Sequence, residues 1–334
     1  MNKVLLAEWE EQGAVIIAWP NEITDWKENL KEVRNTYIEI VEQIADHELV
    51  IILSRDATLK KNFSEETLKN TKIIIADYND TWTRDYIGLS IKTGKKFSLV
   101  NFKFNGWGGK YGHKKDNSIN LHLQKQNVFS TVECKHNRFV LEGGSIDSNG
   151  KGTILTTSKC LLNRNRNPNF TQEEIEKTLS ESLGIKKIIW LSSGSIPGDD
   201  TNSHIDTLAR YCDEKTIVYS INDSKELTSM EKELENIASE NQYELIPLEL
   251  PEPIFNKSKQ LPASYVNFLI TNRKVLVPIY GDKNDFPAIS TLQKIFQTRT
   301  VVGINCREII KQNGSLHCVT MQISKNVLNL SLFE

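Results

Sequence analysis

The chain has 334 residues, 39% of them hydrophobic, and a formal net charge of −2 from 41 Lys and Arg against 43 Asp and Glu. That is enough for one large domain or two ordinary ones around a sizeable core. The near-balanced charge leaves no basic footprint for nucleic acid and no acidic tail, and no apolar run is long enough to cross a bilayer.

At the N-terminus, VLLA (4–7) is too short for a signal segment and EWEE follows at once, so a cytoplasmic protein is expected. Cysteines stand at 134, 160, 212, 306 and 318, an odd number without a CxxC pair. This excludes a disulfide framework and a zinc ribbon. Each cysteine is then a buried small hydrophobe or a reactive thiol.

Taken in chain order, AVIIAW (14–19) reads as a strand, and DWKENLKEVRNTYIEIVEQIAD (25–46) as a long amphipathic helix that Asp25 could cap. LVIILS (49–54), KIIIA (72–76) and KFSLVNF (96–102) read as strands, followed by a short helical stretch near 118 and a strand at NVFSTVE (127–133). After the strand GTILTT (152–157), the helix TQEEIEKTLSESLG (171–184) carries a capping box, Thr171 with Glu174, and a terminating Gly184. KIIWL (187–191) and TIVYSI (216–221) lead to the helix TSMEKELENIASEN (228–241) and the strand YELIPL (243–248). VLVPIY (275–280), a helix over 287–298 with Pro287 in its first turn, and TVVGI (300–304) complete the series.

The helices recur about every 55 to 60 residues, each followed closely by an apolar strand. The unit is strand, strand, helix, strand, repeated roughly five times. A closed ring of such units explains the absence of linkers and predicts a single α/β domain over 1–334.

Polar residues collect just past the helix-following strands, in YNDTWTRD (78–85), LEGGSID (141–147), SGSIPGDDTNSHID (193–206) and NGSLHC (313–318). Strand ends that converge on one axis can assemble a site. Cys318 is a candidate nucleophile, with His204 or His317 as its base or proton carrier. Glu142 or Asp206 could orient and charge a histidine. Further carboxylates such as Asp85, near Trp82 and Trp107, suit a planar cation, because carboxylates bind guanidinium through paired hydrogen bonds. The His and Cys spacings give no metal motif and no nucleotide-binding loop is present.

From WPNEITDW (19–26) onward, the segments NDTWTRD, FKFNGWGG, LEGGSIDSNGKGTILTT, CLLNRNRNP, GDDTNSHID and SLHCVT occur in order. In these the sequence resembles the agmatine deiminase family of the guanidine-modifying (pentein) superfamily. The resemblance implies a five-bladed α/β propeller, no cofactor and no metal, and suggests a homodimer. It implies hydrolysis of agmatine to N-carbamoylputrescine and ammonia through a covalent thiouronium on cysteine. Carried over motif by motif, Cys318 is the nucleophile and His204 the general acid/base paired with Glu142. Asp85 and Asp206 grip the guanidinium, Asp200 lies near the far end of the substrate, and Trp82 and Trp107 line the pocket. His317 is a neighbour of the nucleophile.

Three positions depart from the family pattern: Ser203 replaces a glycine before the histidine, QNGSL keeps only Gly314 before HC, and RDYIGLS lacks a proline. TDWKEN, NDTW and PGDDTN are rich in Asp and Trp, with Arg84 the main exception. This favours an ammonium-ended substrate over the α-carboxylate of arginine. Asp25 and Trp26 are expected to close over the pocket. Deimination of peptidyl-arginine or free arginine is the alternative within this chemistry, and a non-catalytic guanidine-binding ring the alternative outside it.

Overall fold

The computed structural model describes residues 3–130 and 134–333. Among these, the strands form five sheets of three or four strands and one short hairpin, Phe255–Asn256 with Lys259–Gln260. The five sheets share one order. A central strand has an antiparallel neighbour on one side and, on the other, a parallel neighbour reached through a helix. Parallel neighbours require such a crossover, because a tight turn can only reverse the chain. The central strands are Gln12–Ala18, Lys96–Lys103, Thr153–Thr157, Thr216–Ile221 and Lys274–Ile279. Their parallel partners are Leu49–Ser54, Cys134–Val140, Lys187–Leu191, Glu244–Glu249 and Thr300–Asn305.

The connecting helices sit where apolar periodicity puts them, with shifted ends. Leu30–Ala45 follows a 3₁₀ turn over Lys27–Asn29, so Asn29 rather than Asp25 occupies the N-cap position. Its apolar stripe Val33, Tyr37, Ile40, Val41 and Ile44 is buried. Gln172–Leu183 has both capping-box hydrogen bonds, and Gly184 ends it in the left-handed conformation at φ 76°. Lys225–Asn241 begins three residues before the expected start, because the Ser224 side chain accepts from the Leu227 amide. The helix near 118 spans Ile119–Lys125. Of the strand expected at 127–133, Phe129 makes an isolated bridge to Leu328, residues 131–133 lie outside the described residues, and the strand proper starts at Cys134.

The sheet of Gln12–Ala18 takes its antiparallel strand from the far end of the chain. Met321–Ser324 pairs with it, Met321 opposite Ile16. Head and tail are thereby joined by backbone hydrogen bonds, and the segment just before Met321 is fixed beside the first sheet. No helix among the described residues is long and apolar enough to cross a membrane.

Thr171→Ala should lower unfolding free energy by about 1 kcal/mol through loss of the N-cap. The Thr171–Glu174 cap is exposed at the outer end of a connecting helix, so turnover should not change. Urea denaturation beside a steady-state assay checks both.

Candidate active site

All five crossovers from one sheet to the next deliver side chains to one place. The first carries Trp82 and Asp85, the second Glu142 and Gly144, the third Asp199 to Asp206, the fourth Asn267 and the fifth Asn313 to Cys318. Trp107 comes from within the second sheet, after Lys96–Lys103. A narrow cleft opens on Trp82, Asp85, Trp107, Asp200, His204, Asp206 and Cys318, with Asp25, Asp80, Tyr111, Asp199 and Asn313 around it.

At its base the two carboxylates expected to hold a guanidinium face the sulfur. The Asp206 Oδ2 lies 3.7 Å from Cys318 Sγ and accepts from His317 Nδ1 at 2.8 Å. Its Oδ1 is buried without a hydrogen-bond partner. Asp85 accepts from the Gly144 amide (2.9 Å) and from the Trp107 indole (2.9 Å). Asn267 sets its amide against the sulfur, Nδ2 at 3.4 Å and Oδ1 at 3.5 Å, while Oδ1 also accepts from the His317 amide. Burial, then the Asp206 and Asp85 carboxylates, push the Cys318 thiol well above its ordinary pKa. Burial raises the Asp85 carboxyl, helped by Asp206 and Glu142. Burial acts the same way on Asp206, but hydrogen bonding to and charge from His317 outweigh it and hold that carboxyl low.

His204 stands 3.7 Å from Asp85, measured Nδ1 to Oδ1. Burial alone would lower its pKa, but the Asp85 carboxylate, Cys160 and Glu142 prevail and push it up to about 10. The direct Glu142–His204 pairing expected from the sequence is not made. Arg166 Nε donates to both Glu142 oxygens, at 3.0 and 2.8 Å, because a fully buried carboxylate takes the nearest full cation. Glu142 acts on His204 as a nearby charge. Glu142, Cys160 and His204 do bring ligand-type atoms within 4.8 Å of one another. Arg166 already occupies both Glu142 oxygens, so a metal ion there would meet a guanidinium.

The altered glycine positions have a visible resolution. Asn202 and Ser203 both adopt left-handed backbone, φ 70° and 67°. Side chains hold the strained turn: Asp199 accepts from the Thr201 and Ser203 amides, Thr157 Oγ1 donates to the Ser203 carbonyl, and Arg166 reaches Thr201 O and Asn202 Oδ1. Gly314 is kept for a steric reason, since a Cβ there would lie 2.2 Å from the Trp82 ring. A Cβ on Gly144 would lie 2.7 Å from His204 Nδ1 and 2.9 Å from Asp85 Oδ1, within the space the reacting groups share.

At the mouth, Asp200 accepts from Tyr111 Oη (2.8 Å) and Asn313 Nδ2 (3.0 Å), and Lys110 donates to its carbonyl. Asp25 is exposed at this rim. Trp26 does not line the cleft. It is fully buried behind Trp82, ring centroids 5.6 Å apart, with its indole donating to Thr81 Oγ1. An indole on the apolar side of that loop gains more from burial than from contact with a charged substrate. Arg84 also turns away, toward Gln322 and Glu8. Sequence reasoning missed Asn267, Arg166, Asp80 and Glu8. Extending the crossover pattern to the fourth unit would have pointed to Asn267, whereas nothing local marks Glu8.

Five such α/β sheets, with a buried Cys, His and carboxylate pair facing one cleft, define a guanidine-modifying enzyme of the cysteine-nucleophile class. The chain belongs to the Porphyromonas-type peptidyl-arginine deiminase family, whose model matches residues 4–324. It is 31% identical to an agmatine deiminase from Medicago truncatula, with 95% of each chain covered. Among solved structures it resembles a cysteine-to-serine variant of C. jejuni agmatine deiminase with substrate bound, at TM-score 0.92 and 35% identity, covering 98% of this chain and 97% of that one. It is equally similar to a Porphyromonas gingivalis protein provisionally named an arginine deiminase, at TM-score 0.93 and 39% identity, covering 98% and 100%.

The raised thiol pKa has a direct consequence. Alkylation of Cys318 in the free enzyme by neutral 2-chloroacetamide should keep accelerating past about pH 9, without levelling near the usual thiol value of about 8.5. A pH–rate profile that levels at or below that value would contradict the electrostatics described.

Proposed function

We propose that this protein hydrolyses agmatine to N-carbamoylputrescine and ammonia, as one catalytic domain with five sheets arranged as propeller blades. The common order of the sheets and the crossovers that meet at one cleft support the blade arrangement. Site residues drawn from Asp25 through Cys318 support a single unit.

A guanidinium carbon is a poor electrophile because its charge is spread over three nitrogens. Asp85 and Asp206 hold the guanidinium plane beside Cys318, so much of the catalysis is orientation. The bound cation also offsets the two carboxylates that keep the thiol protonated, favouring thiolate where it is needed. The thiolate adds to the guanidinium carbon. His204, held as imidazolium, gives its proton to the departing nitrogen, the C–N bond breaks and ammonia leaves. The resulting thiouronium is then attacked by water, from which the neutral His204 takes a proton. The C–S bond breaks, thiolate departs and a urea remains.

The observation that carries the substrate choice is the cleft lining. It includes six aspartates, Asp25, Asp80, Asp85, Asp199, Asp200 and Asp206, and neither Lys nor Arg. Two of these serve the guanidinium at the base, Asp199 holds the Thr201–Ser203 turn, and Asp25, Asp80 and Asp200 remain for an ammonium. The α-carboxylate of arginine would meet mostly like charge there, with the Lys110 cation, tied to the Asp200 carbonyl, at the rim. A peptide backbone would have to cross the mouth where Tyr111, Asn313 and Asp200 are joined.

Ammonia release from agmatine, arginine and an arginine-containing peptide, with Cys318→Ala as control, tests this. Turnover of agmatine alone, lost in the variant, is expected; turnover of arginine or peptide instead would overturn the substrate assignment and keep the chemistry. Burial, with the Asp116 and Asp25 carboxylates, pushes the Asp80 carboxyl up to about 7. It loses its charge below that pH, so the KM for agmatine should rise as pH falls through neutrality. Asp80→Asn should raise KM throughout and flatten that limb.

A further inference from the structure

We propose that Glu8 is a positioning residue that acts through His317 to aim the Asp206 carboxylate at the substrate. The proposal rests on the reading of Asp206 as a guanidinium ligand. Glu8 belongs to the segment before the first central strand, and it does not line the cleft.

His317 lies between two carboxylates. Its Nδ1 is 2.8 Å from Asp206 Oδ2, and its Nε2 is 2.7 Å from Glu8 Oε2. An imidazole donates from both nitrogens only when both carry protons, so this geometry makes the ring a cationic link with two charge-assisted bonds. All three side chains are buried, which keeps water from substituting for either bond.

Glu8 is itself fixed from several directions. Its Oε1 accepts from the Ile270 amide at 2.7 Å, and its Oε2 lies 3.0 Å from Arg210 Nη2 and 3.4 Å from Arg84 Nη1. Arg210 is clamped in turn by Asp147 at 2.9 Å and stacks over the Phe268 ring. The chain of contacts ends at Asp206, where Oδ2 is committed to His317 and Oδ1 is buried, unpartnered and on a cleft-lining residue. Rotation of that carboxylate would spoil a paired contact to a planar cation. The Glu8–His317 link opposes the rotation. Without the Glu8 charge, Nε2 keeps at most a neutral acceptor, and the ring loses the charge-assisted bond that helps fix Asp206.

The test compares inactivation of the full-length protein by 2-chloroacetamidine, a planar cation, and by 2-chloroacetamide, its neutral analogue. Both alkylate the same cysteine, so their rate ratio reads the carboxylates and cancels fold stability. In Glu8→Gln the amidine preference should fall about tenfold or more, with the neutral reagent's rate changed by no more than about twofold. The KM for agmatine should rise in parallel. His317→Gln, which leaves Glu8 paired with Arg210, should give the same fall and serves if Glu8→Gln does not fold. A folded variant that keeps the wild-type ratio, even with a lowered melting temperature, would overturn the relay and leave Glu8 a structural counter-charge. Absence of any amidine preference in the wild-type protein would instead sink the deiminase reading beneath it.

Discussion

The arrangement depends on carboxylates kept out of water. Glu8, Asp85, Glu142, Asp147 and Asp206 are all less than a tenth exposed, and burying an unpaired carboxylate is prohibitive. Three guanidiniums answer them: Arg166 on Glu142, and Arg210 on both Asp147 and Glu8, with Arg84 also beside Glu8. Five carboxylates against three guanidiniums leave positive charge wanting at the centre. The two imidazoles supply part of it, and a cationic substrate supplies more. Much of the attraction for a guanidinium is thus a consequence of how the interior is balanced.

The same imbalance governs the reacting pair. In the unliganded site the carboxylates raise both the thiol and the imidazole, so Cys318 rests as a thiol and His204 as an acid. In the mechanism we propose, those states protect the nucleophile from stray electrophiles and supply the first proton. In the same proposed mechanism, binding of the cation offsets the field that holds the thiol protonated. Activation is therefore tied to substrate charge, which a neutral molecule of similar shape cannot provide.

Local chemistry made much of this legible in the sequence. Apolar periodicity located the five long or short connecting helices and the strands after four of them; after the second helix the strand starts at Cys134, beyond the expected 127–133. The capping box at Thr171 and Gly184 fixed one helix at both ends. Polar clusters after strand ends marked Asp85, Glu142, His204, Asp206 and Cys318 as candidates for one site, and all of these converge except that Glu142 sits behind His204 on Arg166. The failures share a cause. Trp26 and Arg84 lie next to site residues in sequence but point to the other side of the backbone, and one residue of offset in a turn decides that. Asp25 reads equally well as a cap or a rim residue until the 3₁₀ turn over Lys27–Asn29 moves the cap to Asn29.

What the sequence determined alone was the inventory: a near-balanced charge, a repeated strand–strand–helix–strand unit, and the residue types that guanidine chemistry requires. These follow from short-range patterns, each contained within a dozen or so residues. Only the tertiary structure decided which carboxylate meets which cation, why Ser203 tolerates a glycine's conformation, and how Glu8 comes to stand two bonds behind Asp206. The last of these depends on pairing Met321 with Ile16, a contact spanning nearly the whole chain. A charge placed by such a contact carries no local signature, because the partner that gives it meaning lies hundreds of residues away.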